Sequence, residues 1–171
     1  ATEQYITMAI AEVDDVDYVG IARHNFATAG ISVSVEGDPD GLGFDELVAP
    51  STPADDSPLI LRFDAASYTS IRIKLTAGTG EPQAAVVYVG KLLVMQRRVY
   101  VGHTPLKFGR KDKVINGMSE SGNFLGRIQT RSTVATDVAF QNITPAWYRT
   151  NIEAFLVAAR QLPFFWAWRP G

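Results

Sequence analysis

The chain has 171 residues, no cysteine and a formal net charge of −2, which is length enough for one substantial domain or two small ones with a real core. Without cysteine, disulfides, thiolate metal sites and cysteine nucleophiles are excluded together, and the fold must rest on apolar packing. No apolar run is long enough to cross a bilayer, and the start lacks a basic stretch followed by an apolar one, so no membrane insertion is expected.

Taken in chain order, strand signals dominate, because β-branched and aromatic residues recur with period two between turn residues. Strands are expected at Tyr18 to His24, Ile31 to Val35, Leu59 to Phe63, Ile71 to Leu75, Ala84 to Val89, Arg97 to Val101, Phe124 to Ser132 and Thr136 to Gln141. In Ile31 to Val35 the apolar positions 31, 33 and 35 share a face, and in Ile71 to Leu75 the basic Arg72 and Lys74 point away from the apolar one. Prolines and glycines make loops of Gly37 to Gly43 and Pro50 to Pro58, leaving a long connection between the second and third strands, and Gly109 to Gly122 reads as another loop. Near the C-terminus Thr144 can cap a helix and Pro145 suits its first position. Tyr148, Ile152, Phe155, Leu156 and Ala159 form its apolar stripe, and it must end before Pro163. Phe164 to Trp168 is apolar on both faces, as expected of a strand central in a core or pressed against another subunit. The chain opens on Ala1 and its last apolar run stops at Arg169, Pro170 and Gly171, so both ends are expected to be processed or incomplete.

The fold class expected from this pattern is mainly β: a jelly-roll β-sandwich over residues 15–95, then a smaller β-rich part over 96–171 with one C-terminal α-helix at 145–161. Charge is divided along the chain. Residues 1–64 hold thirteen acidic side chains against Arg23 and Arg62, whereas residues 91–131 hold nine lysines and arginines against Asp112 and Glu120. A basic segment admits nucleic acid as a partner, but the acidic remainder would repel a phosphate backbone. The plainer reading is that the two regions face each other or a neighbouring subunit, and no nucleic-acid partner is expected.

Candidate chemistry is sparse. His24 and His103 lack an adjacent His, Asp or Glu at ligand spacing and read as structural histidines. There is no Gly-x-Ser-x-Gly elbow, no phosphate-cradling loop and no dinucleotide fingerprint. Asp38, Asp40, Asp45 and Glu46 form the most suggestive acidic group, but their spacing does not fit an EF-hand, and a solvated turn is the plainer reading. Nothing places the same carboxylates on two sides of a cleft, as a glycosidase would need. Tyr68, Tyr88, Tyr100 and the Trp166 to Trp168 cluster could stack on sugar rings, although tryptophans in an apolar run more often pack. No catalytic residue, cofactor or metal is assigned, and the chain is not expected to be an enzyme.

Two stretches resemble a family of tail-module proteins of siphophages and related prophages. Tyr18 to Asn25 followed by Gly30 to Glu36 is similar to the opening strands of a galactose-binding-like jelly roll in such proteins. The second runs from Ala85 to Gly90 and Met95 to Arg98, through Gly102 to Pro105 and Ser119 to Arg127, to Trp147 to Arg149 and Pro163 to Pro170. The resemblance implies a distal-tail-like or tail-tip component of the virion, a homo-oligomer set between the tail tube and the receptor-binding apparatus. Tail tube, hub and receptor-binding proteins would be its partners. It implies no catalytic residue, and more loosely it implies contact with host-surface carbohydrate. The assembly interface is expected at Arg97, Arg98, Lys111 and Lys113, which would steer encounter, and at Trp166 and Trp168, which would supply apolar affinity.

Overall fold

The computed structural model describes residues 3–11, 15–76, 78–99 and 109–167. Tyr100, His103 and Trp168 therefore lie outside the described residues, as do the last two residues of the 97–101 strand expectation and the end of the terminal apolar run. Chain contacts divide the protein into two compact units, one formed by residues up to Leu93 together with the segment from Gln161 on, the other by Val94–Arg160.

The first unit is an antiparallel β-sandwich. Strands β1 (Gln4–Ala9), β2 (Val16–His24), β3 (Ser32–Asp38), β4 (Asp45–Ser51), β5 (Leu59–Ala66), β6 (Ser70–Thr76) and β7 (Ala84–Gly90) form two sheets, in the orders β1-β6-β3-β4 and β5-β2-β7. The chain passes between the sheets after β1, β2, β4, β5 and β6, the alternation of a jelly roll. Period-two patterning fills the space between them. Val19 and Ile21 of β2 meet Val33 and Val35 of β3 and Ile71, Ile73 and Leu75 of β6, with Phe26 and Ile31 closing one end. Burying each isoleucine fully contributes about 1.5–3 kcal/mol over leaving it in water. On the outward face of β6, Arg72 pairs with Glu36 and lies over the rings of Phe44 (4.0 Å) and Tyr5 (4.7 Å), and Lys74 pairs with Glu3 at 3.1 Å.

Several expectations need correction. The sandwich includes β1, ahead of residue 15, because Ile6, Met8 and Ile10 alternate inward against the core while the strand pairs with β6. The connection between the second and third expected strands contains β4, whose Pro50 is compatible with an edge position that needs no N–H for a ladder. Phe164 to Ala167 forms no strand. Phe165 instead lies on the sandwich: a Cβ at Gly20 would come within 2.7 Å of its ring, so β2 needs a residue without a side chain there. The ring also meets Tyr88 edge-on at 5.9 Å.

In the second unit the expected loop at Gly109 to Gly122 contains a strand, β8 (Arg110–Met118), which pairs with β9 (Phe124–Val134) as an isolated two-stranded sheet. The Ser119 hydroxyl accepts the Asn123 N–H at 3.0 Å, and Gly122 takes a positive φ of 82° in the turn. No strand covers 136–141, where only Val138 makes an isolated bridge, and none covers 97–99. The helix begins as expected. Thr144 accepts the Trp147 N–H and Pro145 is the first residue of α1 (Pro145–Trp147), which continues through a π-helical turn at Tyr148–Ile152 into α2 (Glu153–Ala159). Gln96 clamps this cap, its Oε1 accepting the Thr144 N–H at 3.0 Å and its Nε2 donating to the Thr144 hydroxyl at 3.2 Å.

Candidate functional site: the basic hairpin and the aromatic groove

Trp168 aside, the residues expected at an assembly interface fall in different places. Arg97 and Arg98 line a cavity of about 410 Å³ together with Gln141 and Asn142. Lys111 and Lys113 alternate on β8 and share one face of the hairpin with Ile115, while β9 contributes Thr133, Arg131 and Ile128 opposite them. Lys113 stands directly across from Arg131, a like-charge pair that destabilises the ladder it sits in. Among the described residues no ion pair involves Lys111, Lys113 or Arg131. On the opposite face Arg110 pairs with Asp112 at 3.3 Å, and Gln129 donates to the same carboxylate. The Ser132 hydroxyl, ahead of Arg110, holds the Asp112 carboxyl below its usual range.

Every residue of β8 is exposed, and so are Phe124, Leu125 and Ile128 of β9, the last at 69 %. Isolated two-stranded hairpins are marginal in water. The basic, aliphatic surface was half visible in the sequence: Lys111 and Lys113 were singled out, but Arg131, Ile115 and Ile128 become their neighbours only once the strand register is known.

Trp166 belongs to the first unit, where it lines a groove of about 750 Å³ on the outer face of the β5-β2-β7 sheet with Ala22, Ile60, Arg62, Val86 and Tyr88. Tyr68, by contrast, packs over Gly37 and edge-on to Phe63. Burial first, then the Asp64 and Asp45 carboxylates, push its hydroxyl pKa up.

Five of the acids in the first 64 residues, Asp17, Asp38, Asp40, Asp55 and Asp56, hold loops. Asp38 is buried and accepts the Gly41 N–H at 2.7 Å. Asp17 accepts the Leu92 N–H at 2.7 Å, and Asp56 accepts those of Ala27 and Thr28. The Thr28 hydroxyl holds the Asp56 carboxyl below its usual range, and the Ser57 N–H does the same for Asp55. His24 is a satisfied buried ring, with Nε2 2.8 Å from the Ser57 carbonyl, Nδ1 accepting the Phe26 N–H and its face stacked on Phe26. Among the described residues no three His, Asp or Glu side chains come together as a metal site would require.

No protein-family model matches the chain, and no curated protein matches it. Among solved structures the chain is similar to one described as CpGH89CBM32-5 from Clostridium perfringens, in complex with GalNAc-β-1,3-galactose. The match has a TM-score of 0.44 and 16% identity over 52% of this chain and 66% of that one.

Proposed function

We propose that this chain is a non-enzymatic structural component of a bacteriophage tail tip, a homo-oligomer seated in the virion between the tail tube and the receptor-binding apparatus. The observation that carries the assembly part is the hairpin: a two-stranded sheet whose apolar and basic residues are all presented to solvent needs another surface to cover it. The tail itself enters through the resemblance of Tyr18 to Glu36 and Ala85 to Pro170 to tail-module proteins. Antiserum raised against the chain should label virions at the tail end distal to the capsid, and purified chain should run as a defined oligomer in size-exclusion with light scattering. Labelling of the capsid, or none, removes the tail reading.

A second reading has its own observation. Tyr88 and Trp166 are aromatic surfaces beside Arg62 in a single groove, an arrangement that suits an apolar sugar face with a polar edge. A glycan array with the wild type and Trp166→Ala separates the two: saturable, sugar-competed binding that the variant loses would make the chain a carbohydrate-binding module.

A further inference from the structure

The proposed assembly leaves open which surfaces meet. On the hairpin, Lys111, Lys113 and Arg131 lie next to Ile115 and Ile128 on one face, and an anionic partner would relieve the opposition of Lys113 to Arg131. The sandwich carries the complement. Its β4 is an edge strand, paired on one side to β3, and begins with the exposed Asp45 and Glu46. Glu46 stands across from Glu36, so this ladder too sets like charges in register, and only Glu36 has a cation, Arg72. Asp40 lies in the turn that precedes β4, and among the described residues none of Asp40, Asp45 or Glu46 takes part in an ion pair.

Resting on the assembly reading, we infer that the Lys111, Lys113 and Arg131 face of the hairpin docks on the acidic start of the β4 edge of a second copy of this chain, at Asp40, Asp45 and Glu46. The two surfaces differ, so the contact is heterologous and directional, and repetition of it closes a ring or extends a filament. Charge sets partner and register, while Ile115 and Ile128 lose water on docking. Because the charges are exposed, salt weakens the contact over a screening length of about 8–10 Å.

Sedimentation velocity of the full chain, at low and at high salt, tests this with charge reversals. The wild type should self-associate and dissociate as salt rises. Lys111→Glu with Lys113→Glu should weaken association about tenfold or more, and so should Asp45→Lys with Glu46→Lys, with thermal melting of each dilute variant not lowered. An equimolar mixture of the two double variants should associate again, since each then offers the other two complementary surfaces. A wild type that stays monomeric, or reversals that lower melting temperature and leave association intact, overturns the inference, as does a mixture that fails to recover. A monomer that instead takes up a duplex oligonucleotide also overturns it. Tail labelling with unaltered association in the variants removes this contact alone, whereas recovered association without labelling removes only the tail.

Discussion

In the sandwich, Val19, Ile21, Val33, Val35, Ile71 and Ile73 have no solvent exposure at all, whereas between Val94 and Arg160 none of the described residues is buried. Both regions carry aliphatic and aromatic side chains on regular secondary structure. What differs is that the first has two sheets to close against each other, and the second has a hairpin whose strands are only two. Secondary structure alone removes little apolar surface from water; stacking a second layer does. The second unit thus has its hydrogen-bonded framework in place while much of its apolar surface stays in contact with water.

Truncating matched isoleucines gives the largest expected contrast. Ile73→Ala leaves a cavity in the sandwich and should cost about 2–5 kcal/mol in denaturant unfolding. Ile128→Ala should cost the dilute monomer no more than about 0.5 kcal/mol and weaken self-association instead. Equal losses of monomer stability from both would show that the hairpin is covered within its own chain and would erase the distinction. Gly20→Ala comes next, at about 1–3 kcal/mol, because the new methyl group displaces the Phe165 ring from β2. Combining it with Phe165→Ala should be less than additive, and strict additivity would mean the ring is not held there.

Phe155→Ala sharpens the comparison on the helical side. The ring is half-buried, so its loss should cost about 1–2 kcal/mol rather than the roughly 3–5 kcal/mol of a fully buried phenylalanine. A value at the upper figure would mean that the helix stripe is covered more completely than its exposure indicates. The smallest effect is expected from pH. Asp55 and Asp56 have carboxyl pKa values held below the ordinary 3.8, so their contribution is complete above that value and is lost as pH falls through the depressed ones. Asp56→Asn should therefore lower the melting temperature near neutrality and converge on the wild type as pH falls below 3.8, which flattens the acid limb. A variant profile parallel to the wild type through that limb would show that the Ala27 and Thr28 contacts do not depend on the charge.

How much of this was legible in the sequence follows from burial. Strands β2, β3, β5, β6, β7 and β9 were visible, because five of them set alternate residues against the sandwich core and the sixth is rich in β-branched residues. Strand β8 was invisible for the complementary reason: a strand exposed on both faces leaves no period-two trace, and Arg110 to Met118 reads as polar loop. β4 hid behind Asp45, Glu46 and Pro50, residues an edge strand tolerates and a central one does not. β1 did carry a signal in Ile6, Met8 and Ile10, too short to stand out at the chain's start. Thr144 and Pro145 marked the helix because capping is local chemistry. The site was legible as charge but not as geometry, since the faces shared by Lys113 with Arg131 and by Glu36 with Glu46 are set by register between distant residues.

The lodging of Phe165 over Gly20 also has a bearing on synthesis. The seven strands of the sandwich are complete once residue 90 has been made, while the ring that covers the outside of β2 is encoded 75 residues later. At about 5–20 residues per second, the nascent sandwich spends roughly 4–15 s with that strip of β2 uncovered. Throughout that interval Ala22, Ile60 and Tyr88 present an apolar strip to the surroundings. Until then the nascent chain lacks, on this face, the cover that the finished protein supplies for itself.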